Sequence, residues 1–156
     1  MNATPPITVL MPAYNAGKYI REAIESVLQQ TFADFELVIV NDGSTDNTMQ
    51  VINSFDDERI RVISQDNRGV AQALNSGLKH SRGQYIARFD ADDICYPHRL
   101  EKQLHFLNAN PDYIMVGSGA DYVLEIGDFL FHCSCIAYTH EEIVDKLYFY
   151  CPFLHP

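Results

Sequence analysis

Basic residues are scarce in this chain. It has 11 Lys and Arg against 21 Asp and Glu in 156 residues, a formal net charge of −10. A surface this acidic excludes nucleic acid as the main partner, because phosphate backbones are held by basic side chains. It does not exclude a phosphate ligand bridged by a cation. No apolar run approaches the ~20 residues of a membrane span. The opening MNATPPITVLMPAYN lacks the basic start and long apolar stretch of a secretory signal. The expected location is therefore the cytoplasm, with any membrane contact peripheral, at the inner face. Cysteine is sparse too: Cys95, Cys133, Cys135 and Cys151, with no CxxC pair. That pattern reads as free thiols in a reducing compartment. Cys133 and Cys135 share a strand face beside His132, but no second ligand pair follows at finger spacing, so zinc is set aside.

What is present is the composition of a soluble globular domain, 47% hydrophobic and 21% charged, without low-complexity runs. A chain of this length buries roughly 70% of its unfolded surface. The pattern alternates. Ile7-Thr8-Val9-Leu10-Met11 reads as a strand stopped by Pro12, and residues 17–30 as a helix with Ile20, Ile24, Val27 and Leu28 on one face. Phe35 to Val40 reads as a strand, apolar on both sides after Glu36 and so central. Asp46 to about Phe55 is a second helix with Asp46 as N-cap, and Arg59 to Ser64 a third strand. Gly69 to His80 is a third helix with Leu74 and Leu78 inward, and Gln84 to Phe89 a fourth strand. Pro97 opens a fourth helix with Leu100, Leu104 and Leu107 on its inner stripe. Four strand–helix repeats predict βαβ units, a mostly parallel sheet and helices on both faces. Residues 113–125 and 127–136 read as a hairpin, and Thr139-His140-Glu141-Glu142 as a capping box before a last helix.

Ligands of open α/β sheets sit beyond the carboxyl ends of the strands. If the strand order is 3-2-1-4, three unusual segments meet there: Pro12-Ala13-Tyr14-Asn15, Asn41-Asp42-Gly43-Ser44-Thr45-Asp46 and Asp90-Ala91-Asp92-Asp93. The third strand ends at Gln65-Asp66-Asn67-Arg68-Gly69, from which Arg68 can reach back. Each segment has two readings. Three carboxylates in four residues raise one another's pKa unless a cation neutralises them; Mg²⁺ or Mn²⁺ does so with one or two carboxylates, water and phosphate oxygens. The other reading is an acidic solvated turn with Asp93 capping the next helix. Asn41-Asp42-Gly43 is ordinary turn chemistry, or Asp42 accepts a hydrogen bond from a base, where uracil offers an N3–H and cytosine does not. Tyr14 is either core or a platform for a flat base. Arg68 is either a solvated charge or a nucleotide contact. A calcium loop at Asp42–Asp46 lacks the later Glu of an EF-hand. His98 and His105 read as surface histidines.

Together, ITVLMPAYNAGKYIREAIESVLQQTF, FELVIVNDGSTDNT, NRGVAQALNSGL and YIARFDADDICYPHRL resemble the nucleotide-sugar-binding half of a family 2 glycosyltransferase. They cover about residues 6–110 in the family's order and spacing. The resemblance implies a three-layer α/β/α Rossmann-like GT-A fold. It implies a transferase moving a sugar from a nucleotide diphosphate donor, with UDP-sugar favoured, to a sugar or lipid-linked sugar acceptor, with inversion, in polysaccharide or glycoconjugate synthesis. By the resemblance, Pro12, Ala13, Tyr14 and Asn15 pack on base and ribose, and Asp42 reads the base. Arg68 and Asn75 line the nucleotide. Asp90 and Ala91 lie at the ribose end of the Asp-x-Asp motif. Asp92 holds Mn²⁺ or Mg²⁺, and Asp90 and Asp93 support it.

The chain departs from the family at its end. The family's general base is a carboxylate in a later segment, past a stretch like Pro152-Phe153-Leu154-His155-Pro156. Asp121, Glu125 and Asp128 do not match it, so the base is expected beyond Pro156 and none is assigned. The expectation is one domain over 1–156, cut at its C-terminus, with 1–110 binding the donor and 111–156 starting the acceptor side. A donor-binding scaffold without turnover is the non-enzymatic alternative. Haloacid-dehalogenase-like phosphatases carry their Asp-x-Asp after the first strand rather than the fourth. A nucleotidyltransferase would show a Gly-rich, basic loop where Pro12-Ala13-Tyr14-Asn15 stands.

Overall fold

The computed structural model describes residues 4–124, 127–134 and 139–147. Two compact units are present, Met1–Lys102 and Gln103–Pro156. The first holds strands β1 (Ile7–Ala13), β2 (Phe35–Asp42), β3 (Ile60–Gln65) and β4 (Tyr85–Arg88). They form one sheet in the order β3-β2-β1-β4, and every neighbouring pair is parallel. Between them lie helices α1 (Ile20–Leu28), α2 (Thr48–Ile52) and α3 (Val70–His80), and α4 (Arg99–Ala109) follows β4. The chain steps from β1 to β2 to β3 in one direction and then back across the sheet to β4. Right-handed crossovers therefore put α1 and α2 on one face and α3 on the other. The order reverses between β1 and β4, which is the switch point where open sheets of this kind bind ligands.

β2 is buried at all eight positions, as a strand flanked on both sides must be. It runs two residues past the expected end, because Asn41 and Asp42 pair with Ser64 and Gln65 of β3. β1 likewise runs through Pro12 to Ala13, pairing with β2. The reason is parity. The Leu10 carbonyl accepts from Phe89 N at 3.1 Å, so Leu10 and Pro12 both turn their backbone polar groups toward β4. β1–β4 pairing stops at Leu10 and Arg88, so Pro12 removes no existing bond.

α3 lies close on the sheet through Ala73 and Gly77, both buried, rather than through Leu78, which is 47% exposed. A Cβ on Gly77 would come within 2.1 Å of Leu10 Cδ1. Leu10, Val38, Val40 and Ala73 form the core there, with Leu74 packed against it. Leu74 is thus inward as expected and Leu78 is not: the closest approach uses the small side chains.

One buried charge was not foreseen. Glu36, on β2, is 2% exposed. It accepts hydrogen bonds from Thr8 Oγ1 (2.7 Å), Arg82 N (2.6 Å), Arg82 Nε (2.7 Å) and Arg61 Nη1 (2.9 Å). Burial raises its pKa, but these donors outweigh burial and bring it down to about 2. β1, β2, β3 and the turn before β4 are tied together at this one carboxylate.

In the second unit, β5 (Ala120–Val123) and β6 (Phe129–Cys133) form an antiparallel hairpin, shorter than expected. Gly127 takes a positive φ of 89° in its turn, and Tyr122 and Phe131 stack at 4.6 Å. Asp121 pairs with His132 across the strands, Oδ1 to Nδ1 at 2.5 Å. Helix α5 (His140–Leu147) starts with the expected capping box. Thr139 N donates to the Glu142 carboxylate and Glu142 N to Thr139 Oγ1, both at 3.2 Å. Glu125, Cys135, Cys151 and the closing CPFLHP lie outside the described residues.

Candidate functional site

The carboxyl ends of β1, β2 and β4 are neighbours on one rim, so the Pro12–Asn15, Asn41–Asp46 and Asp90–Asp93 segments gather there. The first two are stitched together. Asn15 takes a left-handed conformation, φ 50°, which Asn tolerates better than most residues. Its N–H donates to Ser44 Oγ (3.0 Å) and its Oδ1 accepts from Thr45 N (2.8 Å). Ala16 N donates to Thr48 Oγ1 (2.9 Å) and Gly17 N to Asp46 Oδ2 (3.0 Å). Asp46 Oδ1 accepts from Thr48 N at 3.0 Å. Asp46 therefore serves the start of α2 from the residue before the N-cap, which is Asn47 rather than the expected Asp46. Pro12 is half-buried and Ala13 buried, while Tyr14 is 51% exposed. Tyr14 is not core; its ring is open to a partner.

Asp42 is 3% exposed at the last position of β2. Register pairing sets it beside Gln65, whose Nε2 donates to Oδ1 at 2.6 Å. Arg68 N bridges both oxygens at 3.0 and 3.2 Å, and Gly69 N donates to Oδ2 at 2.8 Å. Burial raises the Asp42 pKa, but Gln65, the two backbone donors and the Arg68 charge leave it below the ordinary value. Asp42 therefore fixes the turn that carries Arg68, whose side chain is exposed. Ser64, Gln65, Asp66 and Arg68 line an open depression beside it. Asn75 is exposed on α3 and makes no described contact with this network.

The acidic turn begins after Phe89. Arg88 Nη2 holds Asp90 at 3.0 Å; Ala91 is buried, Asp92 exposed and Asp93 half-buried. Burial first, then the charges of Asp92 and Asp90, push the Asp93 pKa up to about 6, against the partial offset of Arg99 and Arg88. The repulsion read from the sequence is therefore expressed at Asp93. Among the described residues no three His, Cys, Asp or Glu side chains form a ready-made metal cage. An exposed carboxylate beside a second one held above its usual pKa nevertheless fits Mg²⁺ or Mn²⁺, which takes one or two protein oxygens and fills the rest with water and phosphate. Gln65 and Ser44 were named in the sequence only as parts of their segments, and Arg88 and Thr48 were missed. Only strand pairing or loop contact places them on Asp42, Asn15, Asp90 and Ala16.

Residues 8–136 match the family described as Glycosyl transferase family 2. The chain belongs to this family, and its fold is the GT-A Rossmann-like α/β fold of family 2 transferases. It is 35% identical over 140 residues to glycosyltransferase GlyG of Streptococcus pneumoniae, covering 88% of this chain and 46% of that one. It is 36% identical over 138 residues to the hyaluronan synthase of Pasteurella multocida, covering 78% and 14%. Among solved structures it is similar to S. aureus TarS in complex with UDP-GlcNAc, with TM-score 0.64 and 29% identity over 67% of this chain and 32% of that one. It is also similar to the mannosyltransferase PcManGT of Pyrobaculum calidifontis in complex with GDP-Man and Mn²⁺, with TM-score 0.62 and 28% identity over 76% and 35%. The chain spans less than half the length of curated relatives such as GlyG. No helix among the described residues is long and apolar enough to cross a membrane.

Proposed function

We propose that this chain is the donor-binding part of a metal-dependent, inverting glycosyltransferase that moves a sugar from a UDP-sugar to an acceptor hydroxyl. The carrying observation is the shared rim: the Asp42-held turn, the Tyr14 loop and a crowded acidic turn meet at the switch point of the sheet. In this reading Tyr14, with Pro12, Ala13 and Asn15, packs on base and ribose. Three N–H donors already make four contacts on the Asp42 carboxylate, Arg68 N being shared between both oxygens, so in this reading a base N–H takes the side that the shared Arg68 N–H gives up. Uracil supplies it and cytosine repels it. Arg68 and Asn75 flank the nucleotide, and Asp90 and Ala91 face the ribose. Asp92 would hold Mn²⁺ or Mg²⁺, with Asp90 and Asp93 in support. When bound, the ion offsets the aspartate repulsion and stabilises the departing nucleoside diphosphate.

Residues 1–110 are read as the donor side and 111–156 as the start of the acceptor side of one domain. The general base that inversion needs is assigned to no residue here. A sugar or lipid-linked sugar acceptor, polysaccharide synthesis and a cytoplasmic place peripheral to the inner membrane face complete the reading; a hyaluronan synthase among the relatives supports the product class. The guanosine donor of PcManGT favours a second base, so the test compares bases. UDP, GDP, CDP and dTDP are titrated calorimetrically into the chain, with Mn²⁺ and with chelator. Metal-dependent binding of UDP above the others is expected. No binding by any of them to the folded chain refutes the reading.

A further inference from the structure

The acidic turn is short and carries three carboxylates, yet it is held at both ends. Upstream, Phe89 N donates to Leu10 O at 3.1 Å. Downstream, the anchor is the end of α1 and the residues after it, some seventy residues away in sequence. Cys95 N donates to Ser26 Oγ at 2.9 Å. Thr31 N donates to Pro97 O at 2.9 Å. Between them sits Gln30, a polar side chain only 5% exposed. Its Nε2 donates to Tyr96 O at 2.8 Å and reaches Cys95 O at 3.5 Å and Ser26 O at 3.3 Å. Its Oε1 accepts from Leu100 N at 3.1 Å. The amide orientation is fixed by its partners, because carbonyls can only accept and an N–H can only donate.

The chain from Cys95 to Leu100 contains no strand, and α4 starts only at Arg99. Its backbone groups have no ladder to satisfy them, and a buried unpaired group is costly. Gln30 supplies part of what a ladder would, beside Thr31 on the Pro97 carbonyl. It adds a second donor to the Tyr96 carbonyl, which also accepts from Arg99 N at 3.0 Å, and it satisfies the Leu100 N–H in the first turn of α4, and so ties the end of the acidic turn to α1. Without that anchor, like-charge repulsion among Asp90, Asp92 and Asp93 favours opening the turn toward solvent.

We propose that Gln30 is a positioning residue for the acidic turn: it holds Asp92 and Asp93 in the arrangement that takes a divalent cation with a nucleoside diphosphate. This rests on the donor-site reading above and adds to it a residue far from the rim in sequence. The test compares the unaltered chain with Gln30→Met, which keeps the length and apolar volume but removes the hydrogen bonds. UDP affinity is measured calorimetrically with Mn²⁺ and with chelator, and amide exchange is followed across residues 89–97. The expected result is a loss of about tenfold or more in Mn²⁺-dependent affinity, the range typical of groups that orient metal ligands. Chelator-state affinity stays unchanged, and exchange is faster across the turn. Ser26→Ala, which removes a second anchor with little change in volume, should move both readouts the same way; it carries the test if Gln30→Met does not fold. Lowered thermal stability with unchanged Mn²⁺-dependent affinity in both variants overturns the inference and leaves the donor site standing. An unaltered chain that binds no UDP in either condition overturns the donor-site reading, and this inference with it.

Discussion

Replacing Glu36 by Gln keeps the shape of the side chain and removes its charge. The new amide would put an NH₂ group where one carboxylate oxygen now accepts from Thr8, Arg61 or Arg82. The magnitude follows from the carboxyl's fall from an ordinary 4.5 to about 2, worth about 3 kcal/mol at 1.36 kcal/mol per tenfold in proton affinity. The side chain is 2% exposed, so solvent screens little of this at the carboxylate itself. For a chain of this size, ~3 kcal/mol lowers Tm by roughly 6–12 °C. The sign is set by linkage. A carboxylate whose folded pKa is depressed contributes its full stability above the unfolded value near 4.5, and loses it as pH falls toward 2. Urea unfolding of both proteins from pH 7 to pH 2.5 should therefore show a constant gap down to about pH 5 that narrows below it. A gap that is absent at pH 7, or that does not shrink in acid, refutes the claim that charge at Glu36 ties the strands.

Other perturbations give separate outcomes. Asp92→Ala should abolish the Mn²⁺-dependent share of UDP binding while Tm with chelator stays within about 2 °C, as for an exposed position; unchanged metal-linked affinity refutes the assignment. Asp42→Asn should reduce the UDP-over-CDP affinity ratio by about tenfold, the worth of one lost buried hydrogen bond to a charged group, and an equal ratio refutes base reading by Asp42. Asp93→Asn should raise Tm with chelator at pH 7.5, because the raised pKa marks a carboxylate that destabilises the fold when ionised. The gain should fade below pH 4, where both states are protonated; the reverse trend in a pH series of melts counts against it. Gly77→Ala should cost about 1–3 kcal/mol in urea unfolding, since its Cβ would meet Leu10 Cδ1 at 2.1 Å. A neutral result means that α3 can lift off the sheet.

Strand and helix identity was legible because apolar runs and 3.6-residue spacing carry it directly; the order β3-β2-β1-β4 was supposed rather than read, since parallel crossovers leave more than one order open. Boundaries were less legible. Pro12 looked like a stop, and only its pairing side shows why the strand continues. Leu78 looked inward because hydrophobicity was read without volume; Gly77, which scores as a helix breaker, makes the contact. The acidic turn and the Asp42 turn could be placed on the rim from the sequence. Their supports could not, since Gln65 reaches Asp42 through strand register and Gln30 reaches Tyr96 across 66 residues. Long-range hydrogen bonds of single polar side chains leave no periodic trace.

Pro12 has one further consequence. The next rung between β1 and β4 would need an N–H at position 12 to reach the Phe89 carbonyl, and proline has none. β4 therefore loses the next donor along β1, and its pairing ends at Arg88, just before the acids begin. The rung that would draw the acidic turn along β1 toward the Tyr14 loop is lost to a missing proton rather than to a bulky wedge.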